Sequence, residues 1–334
     1  MENKNYVRII VDTEGSDRGA PMMVKGVKEA LDKFENLAVI LVGNEETLLR
    51  ECEANGLMLS ERAEILHASE VITNYDSPAE ALFKKTDSSL VRALETLAKR
   101  DDVFGMLNAG STGALIAGAM RYLPTPDRVR PALAAVLPAE GGGYTCLCDT
   151  GATIDCSAAT LHHFARLGSE FMKSMYGVEV PRIGLLSNGA EPTKGNKVVK
   201  EAHALIAEDK ELHFVGNIEG TKALSGDCDV LVADGFAGNQ VLKVTEGIAT
   251  RIIKDIVKLA KKTGEEKYMQ VVGYLMSCYD FNSLGGGIIL GIRKPVIKAH
   301  GAANEASVVS TLKMLLNMAE NKGVYDKNHA QLPF

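Results

Sequence analysis

Absences bound this chain before any motif does. Among its 334 residues tryptophan is missing, which excludes nothing by itself, and so is any surplus of basic charge: 37 Lys and Arg stand against 43 Asp and Glu, a formal charge of −6. General nucleic-acid binding relies on clustered cations that neutralise phosphates, so no nucleic-acid partner is expected. No stretch reaches the ~20 apolar residues of a membrane-spanning helix. Met1 to Tyr6 is polar where a secretory signal carries an apolar region, which predicts a cytoplasmic protein. The six cysteines, at 52, 146, 148, 156, 228 and 278, contain no CxxC pair. Cys146, Cys148 and Cys156 lack a well-spaced fourth ligand, so buried or reduced thiols are expected and no metal. The GxxxxGK[ST] spacing is absent, against nucleotide hydrolysis, and GxGxxG is absent after the first strand-like run, against dinucleotide binding. With neither a GxSxG elbow nor a Cys–His pair, no covalent intermediate is required, and no organic cofactor is expected.

What remains is an ordinary globular composition, 46% hydrophobic and 24% charged, in a chain long enough for about two domains of ~150 residues. Apolar runs bounded by turn residues recur at 7–11, 38–42, 63–67, 103–107, 132–137, 145–148, 183–186, 213–215 and 230–233, and these read as strands. Helical spacing fills intervals such as 78–100 and 196–207, so the expected fold is α/β with a doubly wound sheet. Pro124 and Pro126 interrupt the pattern near the end of a first lobe. Apolar residues return at helical spacing from Val244 to Lys262 and again from Tyr268 to Met276, which predicts a helical hairpin suited to a subunit interface or, more weakly, to a membrane surface or an acyl chain. Gly285 to Gly301 reads as a loop leading into a last helix, Asn304 to Ala319.

Three apolar runs stop at loops of small polar residues: Asn108-Ala-Gly-Ser-Thr-Gly113, Ser187 to Asn196, and Asp234-Gly-Phe-Ala-Gly-Asn239. Each precedes a helical pattern. Glycine lets backbone amides approach an anion, and a helix start adds unpaired N–H groups and a positive dipole end. In an open α/β sheet such loops gather at the carboxyl edge, so the sequence points to phosphate handling. The loop with Lys194 is the most specific, because it adds a compact cation and two amide side chains, Asn188 and Asn196. Candidate contacts in the first loop are Asn108, Gly110, Ser111, Thr112 and Gly113, and in the third Asp234 and Asn239. Asp12 and Asp17, in the loop after the first strand, either orient a lysine or accept a hydrogen bond at the site, or serve only as a turn residue and a helix cap. His300, just before the last helix, is the histidine best placed to donate to an oxyanion or to protonate a leaving group. The lysine groups Lys84-Lys85 with Arg92, and Lys254, Lys258, Lys261 and Lys262, are basic patches that read first as solvated helix faces.

Taken in order, these segments resemble the bacterial phosphate acyltransferase family. The matching blocks are His67 to Ile72, Asp76-Ser-Pro78, Lys84 to Ser89, Asn108 to Leu115, Arg130 to Leu133, Asp155-Cys156, Gly184-Leu-Leu186 with Lys194-Gly-Asn196, Gly216 to Gly220, Asp234 to Asn239, Leu242-Lys243, Glu246-Gly247 and His300-Gly301. Their colinear order carries the resemblance. This chain departs at its opening loop, Asp12 to Pro21, which is one residue longer than the family pattern, and at Ser111 and Thr153, where the family usually or often has Asn.

The resemblance implies a fold of the isocitrate and isopropylmalate dehydrogenase type, three-layered, in two lobes with a cleft. The first lobe would be 1–127 with 298–334, and the second 128–297 including hairpin 244–280. It implies transfer of a long-chain acyl group from acyl carrier protein to inorganic phosphate; for that reaction the loop reading gives Lys194, His300 and Asn239 as the expected catalytic set. It further implies a homodimer, loosely associated with the inner face of the membrane, that feeds acyl-phosphate to a glycerol-3-phosphate acyltransferase in phospholipid synthesis. Two alternatives stand beside it: a phosphate acetyl- or butyryltransferase that uses coenzyme A thioesters, and a catalytically inactive scaffold recruited to the membrane.

Overall fold

The computed structural model describes residues 6–125, 129–279, 286–301 and 303–321. The expected lobe boundary at 127/128, the end of the hairpin at 280, and the tail 322–334 lie outside the described residues. Strand and helix alternate from the start: β1 (Val7–Asp12), α1 (Gly19–Lys33), β2 (Leu37–Gly43), α2 (Glu45–Ala54), β3 (Ala63–His67), α3 (Pro78–Lys84), α4 (Ser89–Lys99), β4 (Val103–Asn108) and α5 (Thr112–Tyr122). There follow β5 (Ala132–Pro138), β6 (Tyr144–Cys148), α6 (Ala158–Tyr176), β7 (Arg182–Ser187), α7 (Lys197–Glu208), β8 (His213–Glu219) and β9 (Val230–Val232). The chain continues with α8 (Gly235–Thr263), α9 (Lys267–Tyr279), β10 (Gly287–Leu290), β11 (Val296–Lys298) and α10 (Glu305–Glu320). The chain is thus an α/β protein.

It divides into two compact units, one of Met1–Pro131, Ser174–Gly177 and Gly285–Phe334, the other of Ala132–Lys173 and Val178–Leu284. In the first, strands lie in the order β3-β2-β1-β4-β11-β10. All of these pairings are parallel except β10 with β11. Parallel strands covered on both faces become continuously apolar, and β2 is buried at every position. Chain order reverses between β1 and β4, so the loops after these two strands share the switch point, where open α/β sheets bind ligands. Helix α10 packs on α1 so closely that a Cβ on Gly26 would lie 2.6 Å from Val308 Cβ.

Two elements differ from the sequence expectation here. The 78–100 interval is two helices, because Ser88 turns the chain and caps α4, accepting from the Val91 amide at 3.4 Å. The stretch read as a loop between Gly285 and Gly301 contains β10 and β11, whose Ile288, Ile289, Val296 and Ile297 are fully buried. Strands this short, set among glycines and Pro295, carry no periodicity for a sequence reading to detect.

In the second unit the order is β5-β6-β9-β7-β8, with β5 antiparallel and the rest parallel. Leu137, Leu147, Ile218, Leu231 and Ala233 form its core, against which Val241 and Leu242 of α8 pack. Helix α8 begins at Gly235, well before the apolar spacing suggests, and with α9 makes the hairpin. Its Val244, Ile248, Ile252 and Leu259, with Met269, Tyr274 and Met276 of α9, stand exposed. Among the described residues no helix is long and apolar enough to cross a membrane. Cys146 and Cys228 are buried thiols pushed up to about 12 by desolvation.

Candidate functional site

In the first unit the ends of β1, β4 and β11 are knitted into one cluster. Asn108 is almost fully buried, and both ends of its amide are bonded: Nδ2 donates to Asp12 Oδ2 at 2.7 Å while Oδ1 accepts from the Gly110 amide at 3.0 Å. Asp12 Oδ1 accepts from the Glu14 amide at 3.2 Å, the turn bond expected of an Asp at this position. The two loops touch backbone to backbone, since a Cβ on Gly15, at φ +76°, would lie 3.0 Å from Gly110 Cα. Ser111 caps α5 by accepting from the Ala114 amide at 3.5 Å, ahead of Thr112 and Gly113 in its first turn. Asp17 does not cap α1, whose N-cap is Arg18. Its own amide instead donates to the Gly301 carbonyl at 3.1 Å, which brings the opening loop to the His300-Gly301 turn. That turn is tied to Asn108 as well, through the Ala299 amide at 2.8 Å. The cluster therefore joins Asp12, Asp17, Asn108 to Gly113 and His300. Lys298 was not singled out by sequence reading. It lies opposite Asn108 in the β11–β4 register, nine-tenths buried, and its Nζ donates to the Ala299 carbonyl.

Burial dominates the Asp12 carboxyl and pushes it up to about 6, although hydrogen bonds from Ser89, the Glu14 amide and Asn108 pull the other way. The unfolded chain releases this proton near the ordinary ~3.9, so the native state is the better proton binder between the two values. Its contribution to stability is whole below about pH 4 and is lost as pH rises through about 6. Asp12→Asn, neutral throughout, loses one acceptor at every pH but is expected to gain on wild type by up to ~2–3 kcal/mol between pH 4 and pH 8. Thermal melts at both pH values check this, and a pH-independent difference would contradict it.

In the second unit the loops after β6, β7 and β9 leave one carboxyl edge, because these strands are parallel neighbours. The loop after β7 builds itself. Lys194 N–H donates to the Glu191 carbonyl at 3.0 Å, the Gly195 amide donates to Asn188 Oδ1 at 2.8 Å, and Asn196 Oδ1 caps α7 from the Val199 amide at 2.9 Å. Gly195 takes φ +99°, and a Cβ there would meet Val199 at 2.5 Å. The side-chain oxygens of Asn188 and Asn196 thus shape the loop, and the NH₂ groups are the donors that remain on these side chains. Lys194 is exposed, and among the described residues no carboxylate pairs with its ammonium. Ser187 Oγ, buried and without a hydrogen-bond partner among the described residues, faces the same turn, 3.2 Å from where a Gly195 Cβ would stand.

The Asp234 to Asn239 segment is a helix start rather than a free loop. Asp234 is the N-cap of α8, accepting from the Ala237 amide at 2.7 Å, and Asn239 lies on the next turn, half-buried. Its glycines answer a neighbour: Cβ atoms on Gly235 and Gly238 would lie 2.7 Å from Asp149 Oδ2 and 1.9 Å from the Asp149 carbonyl oxygen. Asp149 itself, fully buried, accepts from the amides of Leu133, Gly151, Ala152 and Thr153 at 2.7 to 3.1 Å. Desolvation raises its carboxyl above the usual range against those four bonds. Sequence reading passed over Asp149 because its partners lie on β5 and on its own turn, and only the fold brings α8 against it.

The fold is similar to that of solved phosphotransacylases. It matches a phosphotransacetylase from Streptococcus pyogenes with a TM-score of 0.60 and 18% identity over 94% of each chain. A branched-chain phosphotransacylase from Enterococcus faecalis matches with a TM-score of 0.57 and 18% identity, over 94% of this chain and 99% of that one. Likeness at this identity shows the fold alone. The sequence relationship is nearer: residues 7–325 match the family model described as fatty acid synthesis protein. The phosphate acyltransferase of Halothermothrix orenii is 39% identical over 320 residues, covering 92% of this chain and 93% of the relative. That of Streptococcus uberis is 35% identical over 324 residues, 95% of each. The chain therefore belongs to the phosphate acyltransferase family and is an acyltransferase.

Proposed function

We propose that the protein transfers a long-chain fatty acyl group from acyl carrier protein to inorganic phosphate, giving acyl-phosphate for glycerophospholipid synthesis. The observation that carries the phosphate half is Lys194, an ammonium with no carboxylate partner among the described residues, on a stiffened loop at the carboxyl edge of the second unit. Membership of a family described by fatty acid synthesis supports a fatty acyl donor.

In this reading Lys194 holds phosphate, with the Asn196 and Asn239 side chains of the same unit orienting it. A phosphate oxygen attacks the thioester carbonyl carbon; the C–O bond forms, and collapse of the tetrahedral oxyanion breaks C–S and releases the carrier thiolate. A loop amide donates to that oxyanion, a role in which one donor is typically worth about 3 kcal/mol. A thiol of pKa near ~8.5 leaves without strong acid assistance. The exposed apolar stripe of α8 and α9 is assigned to a second copy of the chain in a homodimer, or to the membrane surface where the product is consumed.

The test supplies palmitoyl-carrier-protein and palmitoyl-coenzyme A separately at equal concentration with phosphate, and traps the mixed anhydride with hydroxylamine. Hydroxamate is expected to form faster from the carrier-protein donor. Equal or faster reaction with coenzyme A would favour the acetyl- or butyryltransferase alternative.

A further inference from the structure

Asn217 stands on the side of β8 where only a break in strand regularity can put it. The β7–β8 register runs Ile183 opposite Phe214 and then Gly184 opposite Gly216, so Val215 is an extra residue and β8 bulges. Gly216, at φ +99°, supplies the backbone conformation. In a regular strand Phe214 and Asn217, three positions apart, point to opposite faces. The bulge advances the alternation by one and sets both on the same face. His203 of α7 meets them together: its ring stands edge-on to Phe214, centroids 4.9 Å apart, and its Nδ1 lies 3.0 Å from Asn217 Oδ1. With Oδ1 as acceptor, His203 carries a proton on Nδ1 and the Asn217 amide is fixed in one orientation. Nδ2 of Asn217 then donates to the Glu191 carbonyl at 2.8 Å. The same carbonyl accepts the backbone N–H of Lys194 at 3.0 Å. Asn217 is buried, so this chain of bonds runs inside the protein from α7 through β8 to the turn that presents Lys194.

We propose that Asn217, oriented by His203, is a positioning residue that holds the Lys194 turn in its phosphate-binding form. The inference rests on the reading that Lys194 contacts phosphate, and both are tested in one set of variants. Asn217→Asp keeps the side-chain shape but puts an oxygen where the Glu191 carbonyl needs a donor. It is expected to raise the KM for phosphate about tenfold, the size of one lost hydrogen bond, with kcat within about threefold and the KM for the acyl thioester unchanged. A residue that merely supported the fold would lower the melting temperature and the active fraction without moving the phosphate KM. His203→Ala is expected to shift the phosphate KM in the same direction, and His203→Gln, which keeps a donor, to restore part of it; this pair decides the matter if Asn217→Asp fails to fold. In a Lys194→Met background Asn217→Asp is expected to add nothing further. A Lys194→Met enzyme with unchanged phosphate KM overturns the phosphate reading together with this proposal. A raised KM in Lys194→Met, with none in Asn217→Asp or His203→Ala, overturns the positioning role and leaves the phosphate reading intact.

Discussion

Lys194→Met is expected to raise the phosphate concentration needed for half-saturation and to lower kcat/KM for phosphate by about 10- to 100-fold, the range of a lost charge-assisted hydrogen bond of ~1.5–3 kcal/mol. Methionine keeps an unbranched side chain one atom shorter and removes the charge. Because the side chain is exposed and the loop is held by backbone and Asn188 bonds, folding is expected to survive the change. Steady-state rates over a phosphate series, with melting temperature as the control, measure it. An unchanged phosphate dependence removes Lys194 from the site.

The second large effect is structural. A Cβ on Gly238 would stand 1.9 Å from the Asp149 carbonyl oxygen, and backbone on both sides leaves no flexible side chain to move aside. Gly238→Ala is expected to cost about 3 kcal/mol or more, roughly 10 °C in melting temperature, by forcing α8 off the Asp149 turn. Activity should fall with it, since Asn239 rides on the same turn of helix. Gly247 is the control on the same helix: a Cβ there meets nothing within 4 Å, so Gly247→Ala is expected to stabilise by about 0.5–1 kcal/mol through helix propensity alone. Equal melting of Gly238→Ala and wild type would refute the packing account.

These two glycines mark the limit of what the sequence could say. Gly238 and its neighbour Gly235 suggested an anion cradle, because small residues at a helix start serve either backbone–ligand or backbone–backbone approach, and only the position of Asp149 distinguishes the two. Strand and helix identity was legible wherever an apolar run ended in turn residues, as at β1, β2, β4 and β7, where local pattern and burial agree. It failed at β10 and β11, whose few residues are strands by virtue of pairing with each other and with β4. The Ser187 to Asn196 segment was legible as a loop ahead of a helix, but Asn196 was read there as a donor and not as the cap it forms. The internal roles of Asn188 and Asn217, and the commitment of Asn108 to Asp12, were not legible, since each depends on a partner brought in by the fold.

The late pairing of β11 beside β4 carries a consequence for biosynthesis. When the ribosome has made only the segment through β4 and α5, the β4 edge is an open row of amides and carbonyls, and α1 lacks the helix that covers it. The intervening unit is nearly continuous in sequence and can condense before the earlier one is finished. A nascent chain that ends before residue 296 thus leaves this sheet margin unpaired, so the segment that carries β11 and α10 closes the N-terminal unit last.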